Sequence, residues 1–196
     1  MIRVGLSGNR FSGKNKVAKV FFDSFDIPIF DADIVLKFIL NHAALSDLSM
    51  NSTILERIGV DYISDDYSMI KLNKVNEDKK FLDLLKIVEK DLFKAYNRFI
   101  KKQKGARYTI FNSSILFEAG WHKRMDRNIS VYAPFIDRVE RSKKSKNENF
   151  NRTTANHILG KEMSELDKNS LADNVIHNYK DHGLIRQVGI INEILI

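Results

Sequence analysis

Apolar residues in this chain fall into two patterns: short unbroken runs and longer stripes at helical spacing. Ile2 to Leu6 is a run, ended by Ser7 and Gly8, and it predicts a buried strand. Lys14 to Phe25 is a stripe, with Val17, Ala18, Val20, Phe21 and Phe22 available for burial, and it predicts an amphipathic helix. Ile27-Pro28-Ile29-Phe30 is a second short run, and Pro28 places it at the start or edge of a sheet because proline cannot donate to a ladder. Ile34 to Leu40 predicts a helix. Residues 41–76 alternate turn-like polar stretches with short apolar pieces and predict a loop-rich helical insertion. From Glu77 to Lys104 the apolar positions, among them Leu85, Val88, Leu92, Tyr96 and Phe99, recur at helical spacing, and Gly105 closes the segment.

Runs then return. Tyr108 to Phe111 predicts a third strand, which leads through Asn112-Ser113-Ser114 into Ile115 to Glu118, expected to be another ligand-facing strand end, and then to a turn at Gly120. Asn128 to Ala133 predicts a fourth, ending at Pro134. Phe135 to Arg141 begins a helix that gives way to the basic stretch from Arg141 to Asn147, and Asn151 to Met163 predicts another helix. Asp173 to Asn178 is a short last strand, and Leu184 to Ile196 a C-terminal helix. Strands alternating with helices predict a doubly wound, mostly parallel α/β sheet. No internal repeat or linker interrupts residues 1–196, so a single domain is expected.

The first strand and helix frame Gly8-Asn9-Arg10-Phe11-Ser12-Gly13-Lys14, a G-x-x-x-x-G-K loop in the strand–loop–helix setting that phosphate binding requires. Gly8 and Gly13 permit dihedrals and close approaches that a side chain would block. The loop's amides and the first helical N–H groups can then converge on an anion, where the helix dipole adds positive potential, which makes Gly8, Arg10, Phe11, Ser12, Gly13, Lys14, Asn15 and Lys16 the candidate nucleotide-binding residues. Lys14 supplies a cation for the outer phosphates. Where such loops carry a Ser or Thr whose hydroxyl binds Mg²⁺, this one has Asn15, the candidate Mg²⁺ ligand, followed by Lys16. ATP binding is expected on this basis.

Asp31-Ala32-Asp33 follows the second strand, at the strand end where ligands bind in open α/β sheets. Asp33 is the candidate to enter the site and Asp31 the candidate helix cap; both could equally be turn and cap residues. Composition narrows the partners. The net charge of +7 and pI near 9.5 favour anionic partners, from nucleotides to nucleic acid. No cysteine is present, which excludes disulfides and thiol chemistry and suits a reducing cytoplasm. No stretch approaches the ~20 apolar residues of a spanning helix, and the first residues lack the form of a signal peptide, so no membrane partner is expected. The histidines show no zinc-ligand spacing.

Taken in order, these features resemble the dephospho-coenzyme A kinases, a family of P-loop kinases. The likeness spans nearly the whole chain: the phosphate loop, the D-A-D step of Asp31 to Asp33, Ile115-Leu116-Phe117-Glu118 in place of the family's P-L-L-x-E stretch, and Ala172 to Asn178 as its A-D-x-V-I-x-N segment. The resemblance implies a three-layer α/β/α sandwich, with 41–104 as the helical coenzyme-binding insertion and 141–165 as a small basic lid. It also implies transfer of the ATP γ-phosphoryl group to the ribose 3′-hydroxyl of dephospho-coenzyme A with Mg²⁺. Lys14 would hold the β/γ-phosphates, Asp33 would accept or orient the 3′-hydroxyl proton, Arg141 would be a lid arginine closing on the phosphates, and Asn178 would lie near the adenine.

This chain departs from that pattern at Asn15 and Lys16, at Ser114 where a proline is expected, and at Glu162 where the lid helix usually has glutamine. Its loop tip of Asn9, Arg10 and Phe11 is also bulkier than the glycine-rich version. Two other readings stay open. Ser7 to Asn15 is similar to the S-G-x-x-x-S-G-K-D loop of viral-type deoxynucleoside monophosphate kinases. A catalytically weakened nucleotide- or nucleic-acid-binding protein would also carry an altered loop, although no aromatics interleave the basic stretch and no DNA-binding motif is visible. Oligomeric state has no signature in the sequence.

Overall fold

A computed structural model describes residues 1–45, 60–63, 70–72, 77–144, 162–180 and 182–195. Its strands are β1 (Ile2–Gly8), β2 (Ile29–Asp31), β3 (Val60–Ile63), β4 (Ile70–Leu72), β5 (Tyr108–Asn112), β6 (Arg127–Tyr132) and β7 (Asn174–His177). The helices are α1 (Lys14–Phe25), α2 (Ala32–Leu45), α3 (Glu77–Lys102), α4 (Phe135–Lys144), α5 (Glu165–Leu171) and α6 (Leu184–Leu195). The chain divides into a first unit, Met1–Phe30 with Gln103–Ile196, and a second, Asp31–Lys102.

In the first unit β1 is the middle strand of a five-stranded sheet of order β2-β5-β1-β6-β7. It pairs in parallel with β5 (Leu6 opposite Asn112) and with β6 (Gly8 opposite Val131), and β6 pairs in parallel with β7. Parallel strands covered on both faces must be apolar throughout, which explains the unbroken runs. Val4, Leu6, Ile110, Ile129 and Ile176 are fully buried, and α1 and α6 supply Val17, Phe21, Val188 and Leu195 to the same cluster. On the alternate positions of β5, Phe111 stacks on Phe30 (5.5 Å) and meets the edge of Trp121 (6.0 Å), so Trp121 is a packing residue. Pro28 stands just before β2, an edge strand. The expected mostly parallel α/β sheet is therefore present.

In the second unit α2 and α3 pack on each other, and β3 and β4 form an antiparallel pair. Among the described residues, 41–76 thus hold the end of α2 and a strand pair that was not expected, strands of three and four residues being too short to register as alternation; the loops expected there lie outside the described residues. The helix expected from Ile34 begins two residues earlier, because the Asp31 carboxylate accepts the Ile34 N–H (3.0 Å) and caps it. Of the expected Asn151–Met163 helix, 151–161 lie outside the described residues, and Met163 is not helical.

One further boundary differs from expectation, and one helix was not expected. α4 continues to Lys144 instead of giving way at Arg141, and it buries Ser142, whose hydroxyl donates to Val139 O (2.7 Å). α5 carries no apolar stripe at all. It buries Lys168 and leaves Leu166 exposed, and Ser164 caps it by accepting the Asp167 N–H (3.1 Å). Among the described residues no helix is long and apolar enough to cross a membrane.

One polar pair ties the sheet to α6. The Tyr108 hydroxyl donates to Asn192 Oδ1 (2.7 Å) among buried apolar side chains, and burial pushes the phenol well above its ordinary pKa of 10.0. Tyr108→Phe should destabilise the fold by about 1–3 kcal/mol in urea melts, because it strands a buried carbonyl oxygen. Adding Asn192→Leu should recover most of that loss. An unchanged midpoint in the single variant would count against the hydrogen bond.

Candidate active site

The phosphate loop starts where β1 stops. A Cβ on Gly8 would lie 2.6 Å from Val131 O, so only glycine lets the chain leave the sheet at this point. Beyond it the Ser12 N–H returns to Asn9 O (2.9 Å), Phe11 takes a left-handed φ of 63° and Gly13 one of 87°. α1 then begins at Lys14, with the Lys16 and Val17 N–H groups donating to Gly13 O.

The loop's carbonyls are held from one side. Arg10 O accepts from Arg138 Nη1 (3.1 Å), and Phe11 O and Ser12 O both accept from Arg141 Nη1 (3.0 Å each). Ser12 O also accepts from Asn178 Nδ2 (2.7 Å), and Arg141 Nη2 donates to Asn178 O. In a planar trans peptide the N–H points opposite to the C=O. With Arg10 O and Ser12 O turned toward these donors, the Phe11 and Gly13 amides face the other way, beside the N-terminus of α1. That is an anion-binding concavity. Arg141 and Asn178, expected on the lid and near the adenine, both touch the loop's backbone.

Lys14 is buried, and its Nζ donates to Asn112 Oδ1 (2.9 Å) at the C-terminal end of β5. Asn112 Nδ2 in turn donates to Asn15 Oδ1 (3.2 Å), so one amide orients both residues. Asn15 and Lys16 are exposed. A carbonyl oxygen has two lone pairs, which leaves Asn15 Oδ1 an acceptor for a hard cation after its bond to Asn112. Mg²⁺ is usually held by one or two carboxylates together with phosphates and waters, and here the neutral amide oxygen of Asn15 would take the carboxylate's place. Arg10 lies over the ring of its neighbour Phe11 (5.3 Å).

Charged side chains behind the loop are paired. Arg138 Nη1 lies 3.1 Å from Glu162 Oε2, and Arg138 Nε lies 2.9 Å from Glu165 Oε1, at an angle that makes the second contact an ion pair only. Glu162 Oε1 accepts the Arg10 N–H (2.6 Å), and Asn9 Nδ2 donates to Met163 O (3.2 Å). Burial pushes the Glu165 carboxyl above its ordinary value, against the pull of Arg138. Lys168, 1% exposed, pairs with Glu118 (2.8 Å) and so joins α5 to the turn after β5.

Asp33, the candidate base, stands half-buried in the first turn of α2, in the second unit. Several contacting residues have no motif to betray them: Asn112, Arg138, Lys168, and Glu162 beyond its departure from glutamine. The position of Asn112 at a strand end was the one available signal.

The tightest approach in this region generates a test. A Cβ on Gly13 would sit 2.1 Å from Asn178 Nδ2, at a φ that L-residues disfavour. Gly13→Ala should lower stability by about 1–3 kcal/mol and abolish binding of an ATP analogue in calorimetry. Asn178→Ala in that background should restore part of the stability. Gly13→Ala binding the analogue as tightly as wild type would rule out this loop geometry.

Comparison with known proteins agrees with the geometry. The family model described as CoaE, dephospho-CoA kinase, matches residues 2–182. A dephospho-CoA kinase of Bacillus licheniformis is 29% identical over 180 residues, covering 89% of this chain and 87% of that one. The uncharacterized protein T05G5.5 of Caenorhabditis elegans is 28% identical over 188 residues, covering 91% of this chain and 76% of that one. The crystal structure of TT1252 from Thermus thermophilus superposes with a TM-score of 0.75 at 21% identity, covering 98% of this chain and 97% of that one, which shows a shared fold. By the family match across nearly its whole length, the chain belongs to the dephospho-CoA kinase family and is a P-loop phosphotransferase.

Proposed function

We propose that this enzyme transfers the γ-phosphoryl group of ATP to the ribose 3′-hydroxyl of dephospho-coenzyme A, giving coenzyme A. The observation that carries the reading is the concavity faced by the Phe11 and Gly13 amides at the N-terminus of α1, with the adjoining carbonyls drawn off by Arg138, Arg141 and Asn178. Such a hollow suits an anion, a phosphate chain among them. Phosphoryl transfer itself is mostly positioning and charge neutralisation, and the side chains here are of the right kind for both.

Lys14, oriented by Asn112, supplies an ammonium for the β- and γ-phosphates. Lys16 adds exposed charge one turn from the loop. Arg141 braces the Phe11 and Ser12 carbonyls and brings a guanidinium to the loop's flank. Asn178 holds Ser12 O and, by resemblance, borders the adenine. Asn15 Oδ1 would be the protein oxygen that holds Mg²⁺, which would supply charge neutralisation for the phosphates. Asp33 takes the 3′-hydroxyl proton, a role that needs an ionised carboxylate within about 3 Å of that oxygen. The net charge of +7 suits an acceptor that is itself polyanionic.

ADP release measured with each acceptor tests the reading. Dephospho-coenzyme A should drive turnover and nucleoside monophosphates should not; the reverse result replaces the acceptor. Lys14→Ala and Asp33→Asn should each reduce turnover by about 10²-fold or more. Full turnover in Asp33→Asn would remove the base from the scheme. Asn15→Ser should lower the Mg²⁺ concentration needed for half-maximal rate, since a hydroxyl is the shorter and better-shaped ligand. An unchanged Mg²⁺ dependence would place Asn15 away from the metal.

A further inference from the structure

Arg10, at the tip of the phosphate loop, is held by both polar groups of its backbone. Its N–H donates to Glu162 Oε1 (2.6 Å), and its C=O accepts from Arg138 Nη1 (3.1 Å). The two side chains that hold it are bonded to each other, Arg138 Nη1 to Glu162 Oε2 at 3.1 Å. The result is a closed ring of one backbone residue, one carboxylate and one guanidinium. Arg138 is 4% exposed and is further fixed by Glu165 and by the ring of Phe135, 5.7 Å away. Three residues along the same helix, Arg141 takes the next two carbonyls, Phe11 O and Ser12 O. Consecutive loop carbonyls are thus read off by two arginines on one face of α4.

We infer that Arg138, locked in place by Glu162, is a positioning residue for nucleotide binding: it fixes the loop tip in its phosphate-receiving shape before any phosphate arrives. The loop's own sequence creates the need. Its tip is Asn9, Arg10 and Phe11, and Phe11 takes a left-handed φ of 63°. A non-glycine residue keeps such a conformation only where its surroundings impose it. Arg138 and Glu162 impose it on the preceding residue, and Arg141 on Phe11 itself.

The charges of the pair are interdependent. A neutral glutamine at 162 could also accept the Arg10 N–H, but the buried guanidinium of Arg138 would then lose one of its two counter-charges. Glu162 at this position therefore goes with Arg138. Preordering lowers the entropy lost when a ligand is bound, so the strap should act on ATP affinity and leave the acceptor alone.

The inference rests on the loop being the nucleotide site, and not on the identity of the acceptor. Two measurements on the full chain test it: calorimetry with a non-hydrolysable ATP analogue, and hydrogen–deuterium exchange of the loop peptide in ligand-free protein. Arg138→Gln should weaken analogue binding by about tenfold or more, speed exchange at residues 10–13 and leave the KM of the acceptor unchanged. The double variant Arg138→Gln with Glu162→Gln, whose two amides can still serve the Arg10 backbone, should regain much of the affinity.

A folded Arg138→Gln protein with wild-type affinity and wild-type loop exchange overturns the inference. So does one whose melting temperature alone falls. Should Arg138→Gln fail to fold, Glu162→Gln decides: weaker binding with faster loop exchange upholds the strap, and no change in either removes it. If the variants behave as expected but dephospho-coenzyme A is not phosphorylated, the strap stands and the proposed acceptor falls. A wild-type chain that binds no ATP analogue overturns both.

Discussion

Every peptide unit carries an acceptor as well as a donor, and a hollow that offers its amides to an anion must dispose of the carbonyls. The rest of this site follows from how that is done. Arg10 O, Phe11 O and Ser12 O are taken by Arg138, Arg141 and Asn178, donors that come from α4 and from the residue after β7. β6 leads into α4 and pairs with β7, and β1, which delivers the loop, is the neighbour of β6. The parallel sheet is thus the frame that brings side chains 130 residues apart in sequence to consecutive carbonyls. Gly8 and Gly13 have complementary parts in this. The first lets the chain pass Val131 O and the second lets it pass the Asn178 amide.

The charge distribution separates two jobs. The cations farthest from water, Arg138 and Lys168, are matched by Glu162, Glu165 and Glu118, and so add little net field. Their function is mechanical, because a buried ion pair fixes geometry at a large desolvation cost and contributes little stability of its own. The raised Glu165 carboxyl reflects that cost: desolvation outweighs the pull of the neighbouring guanidinium. A field for phosphates must come instead from Lys14, from exposed Lys16, and from the helix end.

What could be read in the sequence follows the range of the interactions. β1, the loop and α1 were legible because their causes are local: an apolar run, two glycines, and a stripe beginning at Lys14. The boundaries of α1 match expectation at both ends. The cap of α2 was legible too, since Asp31 was its candidate and its carboxylate takes the Ile34 amide, although the helix then begins at Ala32, two residues before the apolar positions start. α5 was invisible because its inward residue is Lys168, and a helix that buries an ion pair in place of an apolar stripe has no hydrophobic periodicity. In the site, the motif named the loop but none of its braces. Asn112 reaches Lys14 across 98 positions and Glu162 reaches Arg10 across 152, separations that no spacing rule in one sequence covers. Arg141 and Asn178 were selected by resemblance. The structure adds a backbone contact for each, which a resemblance does not specify.

The bulky loop tip and the charged residues behind it are best understood together. A glycine-rich tip reaches its bound shape at small steric cost but loses much backbone freedom when it does so. A tip of Asn9, Arg10 and Phe11 has less freedom to lose, and it needs an outside constraint to stay in the required shape. Arg138 and Glu162 have the contacts to supply that constraint, on both polar groups of one residue. Departures from the usual motif at the loop and at position 162 are then two halves of one change, in which rigidity moves from the loop's own sequence to the side chains packed behind it. A variant that restored glycines at the tip while keeping Arg138 and Glu162 would separate the halves, because the strap would then hold a segment that no longer needs it.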